Sequence, residues 1–260
     1  ASRGLGDVYK RQPSDKDLGI TETTAKNLTG YRNIAIFGVD SRSDDYGVGN
    51  RSDCIIIASI NNDTGAIKLI SVYRDTYVNI EGHGLDKITH AYSYGEAPLA
   101  VKTLNTNLDL NINEFVTVNF DSVAEAVDQL GGVQLTITSD EIKYINGYID
   151  ETSKVTGKTS EHITEPGTYT VDGVQAVAYS RIRYTDGGDY KRTERMRTVI
   201  EAMFSKLKTK NLNEINSFAD KILPHVYTNI SATDIISMVP SMSKYKVTES
   251  IGWPYDTKGK

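Results

Sequence analysis

Short apolar runs separated by turn residues occupy the first third of the chain and predict a set of β-strands. Residues 33–39 (NIAIFGV) and 54–60 (CIIIASI) are apolar and rich in β-branched side chains, which is typical of buried strands. The turn sequence NNDTG follows, and residues 66–72 (AIKLISV) form a third apolar run. The second and third runs therefore predict a hairpin that turns at residues 61–65.

The register of this hairpin determines which residues face each other at its open end. With the turn at residues 61–65, Ile60 pairs near Ala66, and counting back places Asp53 opposite Tyr73. Asp53 and the residues after Tyr73 then share one edge of the predicted sheet.

Three aspartates and an arginine are expected at that edge. Asp40 ends the first strand and Asp53 begins the second, while Arg74 and Asp75 follow Tyr73 after the third. If the first two strands are neighbours, the ends that carry the two aspartates meet. The sequence therefore predicts a charged cluster at this end of the sheet.

Helical periodicity is clearest in the second half of the chain. Apolar residues 196, 199, 200, 203, 204 and 207 follow the spacing i, i+3, i+4, i+7, i+8 and i+11, which predicts an amphipathic helix. Further helices are predicted at residues 96–108, 122–130, 213–223 and 232–242, with strands at 115–120 and 133–138. Residues 144–168 are polar and are expected to be an irregular surface segment. Strands and helices without regular βαβ alternation favour a layered α/β or α+β domain.

Composition excludes several classes of function. The chain has 260 residues, 38% of them hydrophobic, and a formal net charge of -5, which gives no general reason to bind nucleic acid. The one cysteine, Cys54, lies in an apolar strand, so a small buried side chain is favoured over a reactive thiol. The four histidines have no zinc-ligand spacing. No apolar run approaches the length of a membrane-spanning helix.

The first residues do not resemble the rest of the chain. ASRGLGDVYKRQ has no periodicity and is interpreted as translated adaptor sequence. Residues 1–30 are accordingly expected to be a non-native leader and a polar linker, with one domain at residues 31–250. A native N-terminal membrane anchor is expected to be missing from this chain.

Arginine and lysine are distributed differently. Apart from the two arginines of the leader, arginine is confined to residues 32–74 and to five positions between 181 and 197, whereas lysine covers the general surface. The planar guanidinium fork binds phosphate or carboxylate oxygens bidentately, which an ammonium group cannot do. This partition favours a site built for oxyanions.

The first arginine window is nearly symmetric, with Asp40-Ser41-Arg42 followed by Arg51-Ser52-Asp53. Two carboxylates that meet beside arginines suit Mg²⁺, which takes one or two carboxylates together with phosphate oxygens. The alternative is that Asp40 with Arg42 and Arg51 with Asp53 form ordinary loop ion pairs.

The second window, YSRIRYTDGGDYKRTERMR, contains residues with different expected roles. Arg181 and Arg183 project from one face if the segment is extended, so that two forks can bind one diphosphate; the alternative is a basic strand edge. On the following helix, Arg192 lies towards the apolar stripe and needs an anionic partner or ligand. Asp189 is an alternative N-cap for this helix, and Arg197 is expected on the solvated flank.

Six segments, in order, resemble the LytR-CpsA-Psr family of bacterial cell-envelope enzymes: NIAIFGVDSR, NRSD, SVYRDT, DKITHAYSYG, QLGGVQLTI and VDGVQAVAYSRIRYTDGGDYKRTERMR. The resemblance implies a mixed central sheet flanked by helices in three layers, with a cavity for a polyprenyl chain. Two positions depart from the family pattern, because Tyr73 replaces a proline and Met196 replaces a glutamine.

The family's activity is transfer of a phosphate-linked glycopolymer, such as teichoic acid or capsule, from a polyprenyl pyrophosphate carrier to peptidoglycan outside the membrane. The resemblance implies Mg²⁺ carboxylates at Asp40 and Asp53. It implies a pyrophosphate site at Arg42, Arg51, Arg74, Arg181, Arg183, Arg192 and, more distantly, Arg195.

The sequence does not assign the proton acceptor to a single residue. Arg74 is expected to stabilise charge, and either Asp75 or Asp189 is expected to receive the acceptor's proton. Two alternatives remain: hydrolysis of the polyprenyl pyrophosphate, and a non-catalytic module that binds polyprenyl phosphate.

Overall fold

The computed structural model describes residues 13–41, 44–183 and 187–254. In chain order the elements are α1 (Glu22–Asn27), β1 (Tyr31–Val39), β2 (Ser52–Asn61), β3 (Ala66–Val72), β4 (Tyr77–Ile80), β5 (Gly84–Lys87), α2 (Thr89–Leu108), β6 (Glu114–Val118), α3 (Phe120–Gln129), β7 (Val133–Ile137), α4 (Ser139–Thr156), β8 (Gly167–Val171), α5 (Gly173–Arg181), α6 (Gly188–Leu207), α7 (Leu212–Ile222), β9 (Tyr227–Thr228), α8 (Ala232–Met238) and β10 (Lys246–Trp253). They form two compact units, here called unit 1 (Ala1–Val118 with Leu223–Lys260) and unit 2 (Asn119–Ile222).

Unit 1 contains a six-stranded mixed sheet with the order β10-β3-β2-β1-β6-β9. The pairs β1–β2, β2–β3 and β6–β9 are antiparallel, and the pairs β1–β6 and β3–β10 are parallel. The predicted strands at residues 33–39, 54–60 and 66–72 and the hairpin between the last two are confirmed. The expected fold class, a mixed central sheet flanked by helices, is confirmed as well.

The core of unit 1 lies between this sheet and α2. Alternate residues of β1, Ala35, Phe37 and Val39, are buried on one face, as the period of a strand requires. They share a hydrophobic cluster with α2 residues that include Tyr92 and Leu104. This packing fixes α2 against the strands whose ends carry the predicted charged cluster.

The N-terminal part of unit 1 is more ordered than its polar composition predicts. Residues 16–30, expected to be a linker, include α1, which Thr21 caps by accepting a hydrogen bond from the backbone N–H of Thr24. Leu18 and Ile20 are buried in the hydrophobic cluster of unit 1. The packed structure therefore begins before Tyr31. The predicted adaptor sequence at residues 1–12 lies outside the described residues.

Unit 2 contains the antiparallel pair β7–β8 and five helices. The prediction of an irregular segment at residues 144–168 is wrong, because α4 covers most of its first half and β8 begins near its end. Ile145, Ile149 and Thr152 are buried along one face of α4. The polar residues and the glycine between these positions hide a periodicity that only the packing of α4 makes clear.

Among the described residues, no helix combines the length and the apolar composition that crossing a lipid bilayer requires.

Helix α2 is interrupted by a backbone conformation that glutamate rarely adopts. Glu96 has φ 59° and ψ -159°, a region that is essentially restricted to glycine, and the preceding Gly95 is non-helical too. Pro98 follows within the same helix. Glu96 therefore carries a conformational cost that a glycine at this position would not carry.

We expect Glu96→Gly to raise the free energy of unfolding by about 1 kcal/mol, after the greater entropy of glycine in the unfolded chain is subtracted. Urea unfolding monitored by circular dichroism measures this change. Glu96→Ala is the matched control, since it removes the carboxylate but keeps the Cβ atom. Equal stabilisation by both variants would assign the effect to the carboxylate instead of the backbone.

Candidate functional site

The ends of β1 and β2 bring the two predicted aspartates to the same edge of the sheet. Gly38 pairs with Cys54, and Val39 pairs with Ser52, so Asp53 is the extra residue of a β-bulge. Asp40 follows Val39 directly and is exposed. A β-bulge changes the direction of the side chain of its extra residue. The bulge at Asp53 lies at the sheet edge where the two carboxylates were expected to meet.

Asp53 is ion-paired with Arg74 across the open end of the β2–β3 hairpin. Asp53 Oδ1 lies 2.8 Å from Arg74 Nη1, and the two side chains are 30% and 25% exposed. The predicted pairing of Asp53 with Tyr73 is wrong by one residue, since Ile60 pairs with Ile67 and the same register places Asp53 opposite Arg74.

The shift arises in the turn. Asn61 remains part of β2, and its side-chain oxygen accepts hydrogen bonds from the backbone N–H groups of Asp63 and Thr64. Gly65, at φ 76°, donates its N–H to the carbonyl of Asn61. The turn is therefore one residue shorter than predicted, which brings Arg74 opposite the bulge.

Asp75 lies between two cations at the same edge. Its Oδ1 is 3.8 Å from Arg74 Nε and 3.3 Å from Lys87 Nζ, and its side chain is more than half exposed. The backbone carbonyl of Arg74 accepts a hydrogen bond from the N–H of Thr89 at the start of α2. Helix α2 thus holds the segment that carries both residues.

The loop before β2 is also fastened to α2. Tyr92 donates its hydroxyl hydrogen to the carbonyl of Tyr46 at 2.8 Å, and Ser93 donates to the carbonyl of Asn50 at 3.0 Å. Thr89 donates to the carbonyl of Ser52. These bonds hold the backbone on both sides of Arg51, whose side chain is exposed. Arg42, predicted to bind the same ligand, lies outside the described residues.

Two buried oxygens at the bulge lack the hydrogen bonds that burial normally requires. Within the described chain, neither Ser52 Oγ nor Asp53 Oδ1 has a hydrogen-bond partner, since the contact of Asp53 with Arg74 meets the distance of an ion pair but not the angle of a hydrogen bond. No group of three or more acidic, histidine or cysteine ligands occurs among the described residues. The donor set therefore fits a cation that takes few protein ligands and completes its shell with water and ligand oxygens.

In unit 2, Arg181 is not on an extended segment as predicted. It is the last residue of α5, because the Asp172 capping box starts that helix and the buried residues Val174 to Ser180 keep it packed. Its guanidinium group donates to Thr152 Oγ1 at 3.0 Å and lies over the ring of Phe120 at 4.8 Å. It is also 3.4 Å from a carboxylate oxygen of Glu151.

The residues after Arg181 leave the helix and alternate in burial. Ile182 adopts an extended conformation and is fully buried, and Arg183 is exposed. The two arginines therefore do not share the regular face of a strand, because one of them is helical. Residues 184–186 lie outside the described residues.

Helix α6 carries the pair Asp189 and Arg192. Arg192 Nη2 lies 3.5 Å from Asp189 Oδ1, and the arginine side chain is mostly buried, whereas the aspartate is exposed. The expected anionic partner of Arg192 is therefore present. Gly187 occupies the N-cap position without a side-chain hydrogen bond, so Asp189 is not the N-cap.

Arg195 occupies a different environment from the other arginines. It is 2% exposed, its Nε donates to Glu141 Oε2 at 2.7 Å, and its Nη1 donates to the carbonyl of Ile182 at 3.0 Å. A side chain so enclosed suits the more distant role that the sequence predicted for it in the pyrophosphate site. Its contacts fix the backbone between Arg181 and Arg183.

Glu141 was not identified from the sequence, although a signal for it exists. It is the third residue of α4, and its Oε1 accepts hydrogen bonds from the backbone N–H and the hydroxyl of Thr138. The backbone N–H of Glu141 donates to Thr138 Oγ1 in return, which completes a capping box. The sequence Thr-x-x-Glu is the usual indication of such a box. Its second oxygen binds Arg195, so one carboxylate connects the start of α4 with α6. Arg197 is buried as well, and the prediction of a solvated flank is wrong.

The departure from the family pattern at Tyr73 is accommodated by β10. The N–H of Tyr73 donates to the carbonyl of Trp253 at 3.1 Å, a bond that a proline could not make. A Cβ atom at Gly252 would overlap the Tyr73 ring in its present position, so any larger residue there would displace the tyrosine side chain. Met196, the other departure, is partly buried on α6.

Guanidinium groups held by carboxylates on a mixed α/β scaffold define a protein equipped to bind oxyanions. The profile of the LytR_cpsA_psr family matches residues 7–253. The chain therefore belongs to this family.

Named relatives agree with this membership. A polyisoprenyl-teichoic acid–peptidoglycan teichoic acid transferase, TagT of Bacillus subtilis (strain 168), is 33% identical over 233 residues, which cover 87% of this chain and 69% of TagT. TagU of Enterococcus faecalis (strain ATCC 700802 / V583), with the same function name, is 33% identical over 232 residues, covering 85% and 69%. A structure of TagT with bound octaprenyl pyrophosphate lipid matches with a TM-score of 0.62 and 28% identity, covering 89% of this chain and 81% of that one.

We expect Arg195→Ala to lower the free energy of unfolding by about 3–5 kcal/mol, because it leaves the charge of Glu141 buried without its partner. Arg183→Ala is the matched control; as an exposed residue it should change stability by less than about 0.5 kcal/mol. Urea denaturation measures both. Equal, small effects would contradict a fixed buried ion pair.

Proposed function

We propose that this protein transfers a phosphate-linked glycopolymer from a polyprenyl pyrophosphate carrier to a hydroxyl group of peptidoglycan. The observation that carries the proposal is the Asp53–Arg74 pair at a β-bulge, where a fixed and partly exposed guanidinium lies beside unsatisfied carboxylate oxygen. Membership in the family, and the names of its relatives, supply the reaction class.

The pyrophosphate is proposed to bind the arginines that solvent can reach. Arg74, Arg181 and Arg192 keep part of their surface exposed while a carboxylate holds each in place, and Arg51 and Arg183 are exposed. Arg42 is assigned to the same set because it lies in the segment NIAIFGVDSR, which resembles the family. Each guanidinium group offers two parallel N–H donors to phosphate oxygens. Arg195 is excluded from direct contact, and we assign it to positioning.

Asp40 and Asp53 are proposed to hold Mg²⁺. When bound, Mg²⁺ would neutralise charge on the phosphate oxygens. Asp53 Oδ1 is buried without a hydrogen bond, and an exposed carboxylate follows β1 at the same edge. A hard cation with one or two carboxylates is the usual ligand arrangement for magnesium in phosphate sites.

The reaction needs few covalent steps from the protein. The acceptor oxygen attacks the phosphorus that bears the glycopolymer, the bond from that phosphorus to the bridging oxygen breaks, and polyprenyl phosphate leaves. Arg74 and its neighbours stabilise the charge that develops on the departing phosphate. The acceptor's proton passes to Asp75 or Asp189, both of which are more than half exposed.

The cellular setting is part of the proposal. The substrate carrier is a membrane lipid and the acceptor is cell wall, so we propose that the protein acts on the outer face of the membrane through an N-terminal anchor. The polymer is proposed to be teichoic acid, as in the relatives' names, with capsule polysaccharide as the alternative.

We expect Arg74→Ala to lower kcat for transfer by about 10²–10³, the usual loss when one donor to a developing oxyanion is removed. Labelled lipid-linked polymer, incubated with and without peptidoglycan, measures conjugate formation. Lys68→Ala is the matched control, since Lys68 is an exposed cation on β3, the strand that leads into Arg74. Release of free polymer phosphate would indicate hydrolysis, and lipid binding without turnover would indicate a binding module; either result contradicts transfer.

We expect Asp53→Asn to abolish a thermal stabilisation by Mg²⁺ that the unaltered protein shows, because a neutral amide is a weaker ligand for a hard cation. Differential scanning calorimetry with MgCl₂ or EDTA measures the shift of Tm, and the transfer assay should lose activity in parallel. Asp63→Asn, in the exposed turn of the same hairpin, is the control. A shift that persists in Asp53→Asn would rule out this ligand.

A further inference from the structure

The hairpin formed by β4 and β5 exposes unusual side chains for a surface strand pair. Tyr77 pairs with Lys87, and Asn79 pairs with Leu85, so these four residues lie on one face. The opposite face contributes Val78 and Ile80 to the core of unit 1. On the outer face Tyr77 is 67% exposed and Leu85 is 75% exposed. Large apolar side chains that share an exposed face indicate an interaction surface.

A pocket lies at the tip of this hairpin. Its volume is about 410 Å³, which is within the range of small-molecule sites, and its lining includes Asn79, Glu81, His83, Lys102 and Thr106. Glu81 and Lys102 are ion-paired, so their charges cancel. The lining therefore offers hydrogen-bond donors and acceptors without a net charge, which suits a neutral ligand with many hydroxyl groups.

One wall of the pocket belongs to an ordered stack of two rings. His83 lies on Tyr94 with ring centroids 3.9 Å apart and an interplanar angle of 2°. Tyr94 donates its hydroxyl hydrogen to Asp86 Oδ2 at 2.6 Å, and Asp86 Oδ1 contacts His90 Nδ1 at 2.9 Å. These bonds orient Tyr94, and they lower the pKa of Asp86 to about 2. A fixed flat ring with a polar edge can pack against the C–H face of a sugar.

The same hairpin leads from the pocket to the proposed reaction site. Lys87, at the end of β5, contacts Asp75, which neighbours Arg74. Gly84, at the tip, is three residues from Lys87, a span of about 10 Å along a strand. The exposed face with Tyr77 and Leu85 therefore runs from the charged cluster to the pocket without leaving the hairpin.

Taking the transfer reaction proposed above as given, we propose that this face and its tip pocket form a subsite for the acceptor glycan. Sugar rings would pack on Tyr77 and on the His83–Tyr94 stack, and the pocket groups would bind their hydroxyl and acetamido groups. The neutral pocket disfavours the phosphate-rich donor polymer, which carries repeated negative charge. The surface would thus keep an acceptor hydroxyl near Asp75 and Arg74.

Titration of the folded protein with chitotetraose, a tetramer of β-1,4-linked N-acetylglucosamine, tests the subsite by calorimetry and NMR. We expect saturable binding of the unaltered protein and at least tenfold weaker binding by both Tyr77→Ala and His83→Ala. Tyr31→Ala is the matched control, because Tyr31 is also an exposed tyrosine but lies at the start of β1. Circular dichroism confirms that each variant is folded. A glycerol phosphate oligomer serves as the polyanionic probe and should not bind.

Transfer kinetics separate this inference from the function on which it depends. Tyr77→Ala should raise KM for the peptidoglycan acceptor about tenfold and leave KM for the lipid-linked donor unchanged. Arg74→Ala should lose transfer but keep its affinity for chitotetraose. A protein that binds the tetramer but transfers nothing would contradict only the proposed function.

Four results would overturn the glycan subsite itself. The first two are that the unaltered protein does not bind the tetramer, or that the Tyr77 and His83 variants bind it as tightly as the unaltered protein does. The third is that the glycerol phosphate oligomer binds more tightly than the tetramer. The fourth is that the protein self-associates through this face and the tetramer does not displace the second copy.

Discussion

The pairing of guanidinium groups with carboxylates is the constraint on which the candidate site depends. A partly buried arginine is stable in the folded chain only if an anion compensates its charge before a ligand arrives. Asp53, Glu151 and Asp189 supply this compensation for Arg74, Arg181 and Arg192. Because each of these pairs is partly open to solvent, it stabilises the fold only weakly. In the function proposed here, each partly exposed arginine would exchange its carboxylate for phosphate oxygens, whereas the buried Arg195–Glu141 pair would stay intact as a structural contact.

The clustering of the arginines and the positions of the first three strands could both be predicted from the sequence. The confinement of arginine to two windows identified residues that the structure does place in paired, partly exposed positions, and Arg192 has the anionic partner that its place on the helix required. The apolar runs that form β1 to β3 predicted the boundaries of these strands closely, because each run buries apolar side chains. These features follow from local periodicity, which a single sequence contains.

Features that depend on tertiary packing could not be predicted from the sequence. Arg197 is buried although it was expected on the solvated flank of its helix. Arg195 is buried because Glu141 and the carbonyl of Ile182 accept hydrogen bonds from its guanidinium group. Helix α4 was missed because its buried face contains only a few apolar residues. The one-residue shift that pairs Asp53 with Arg74 depends on Asn61, whose side chain caps the turn while its backbone stays in the strand. Each of these outcomes needs a partner that is distant in sequence or a side chain in an unexpected role.

The parallel pairing of β3 with β10 has a consequence for how the protein is made. Ala66 pairs with Lys246, and Tyr73 bonds to Trp253, so the strand that leads into Arg74 is completed by the far end of the chain. Contacts this distant in sequence slow folding, because a long loop must close before they form. During synthesis, one edge of β3 stays unpaired until β10 has emerged, and an unpaired edge favours association with other chains. The order of the sheet thus makes the strand beside the site the last to gain its neighbour, and favours folding under chaperone protection.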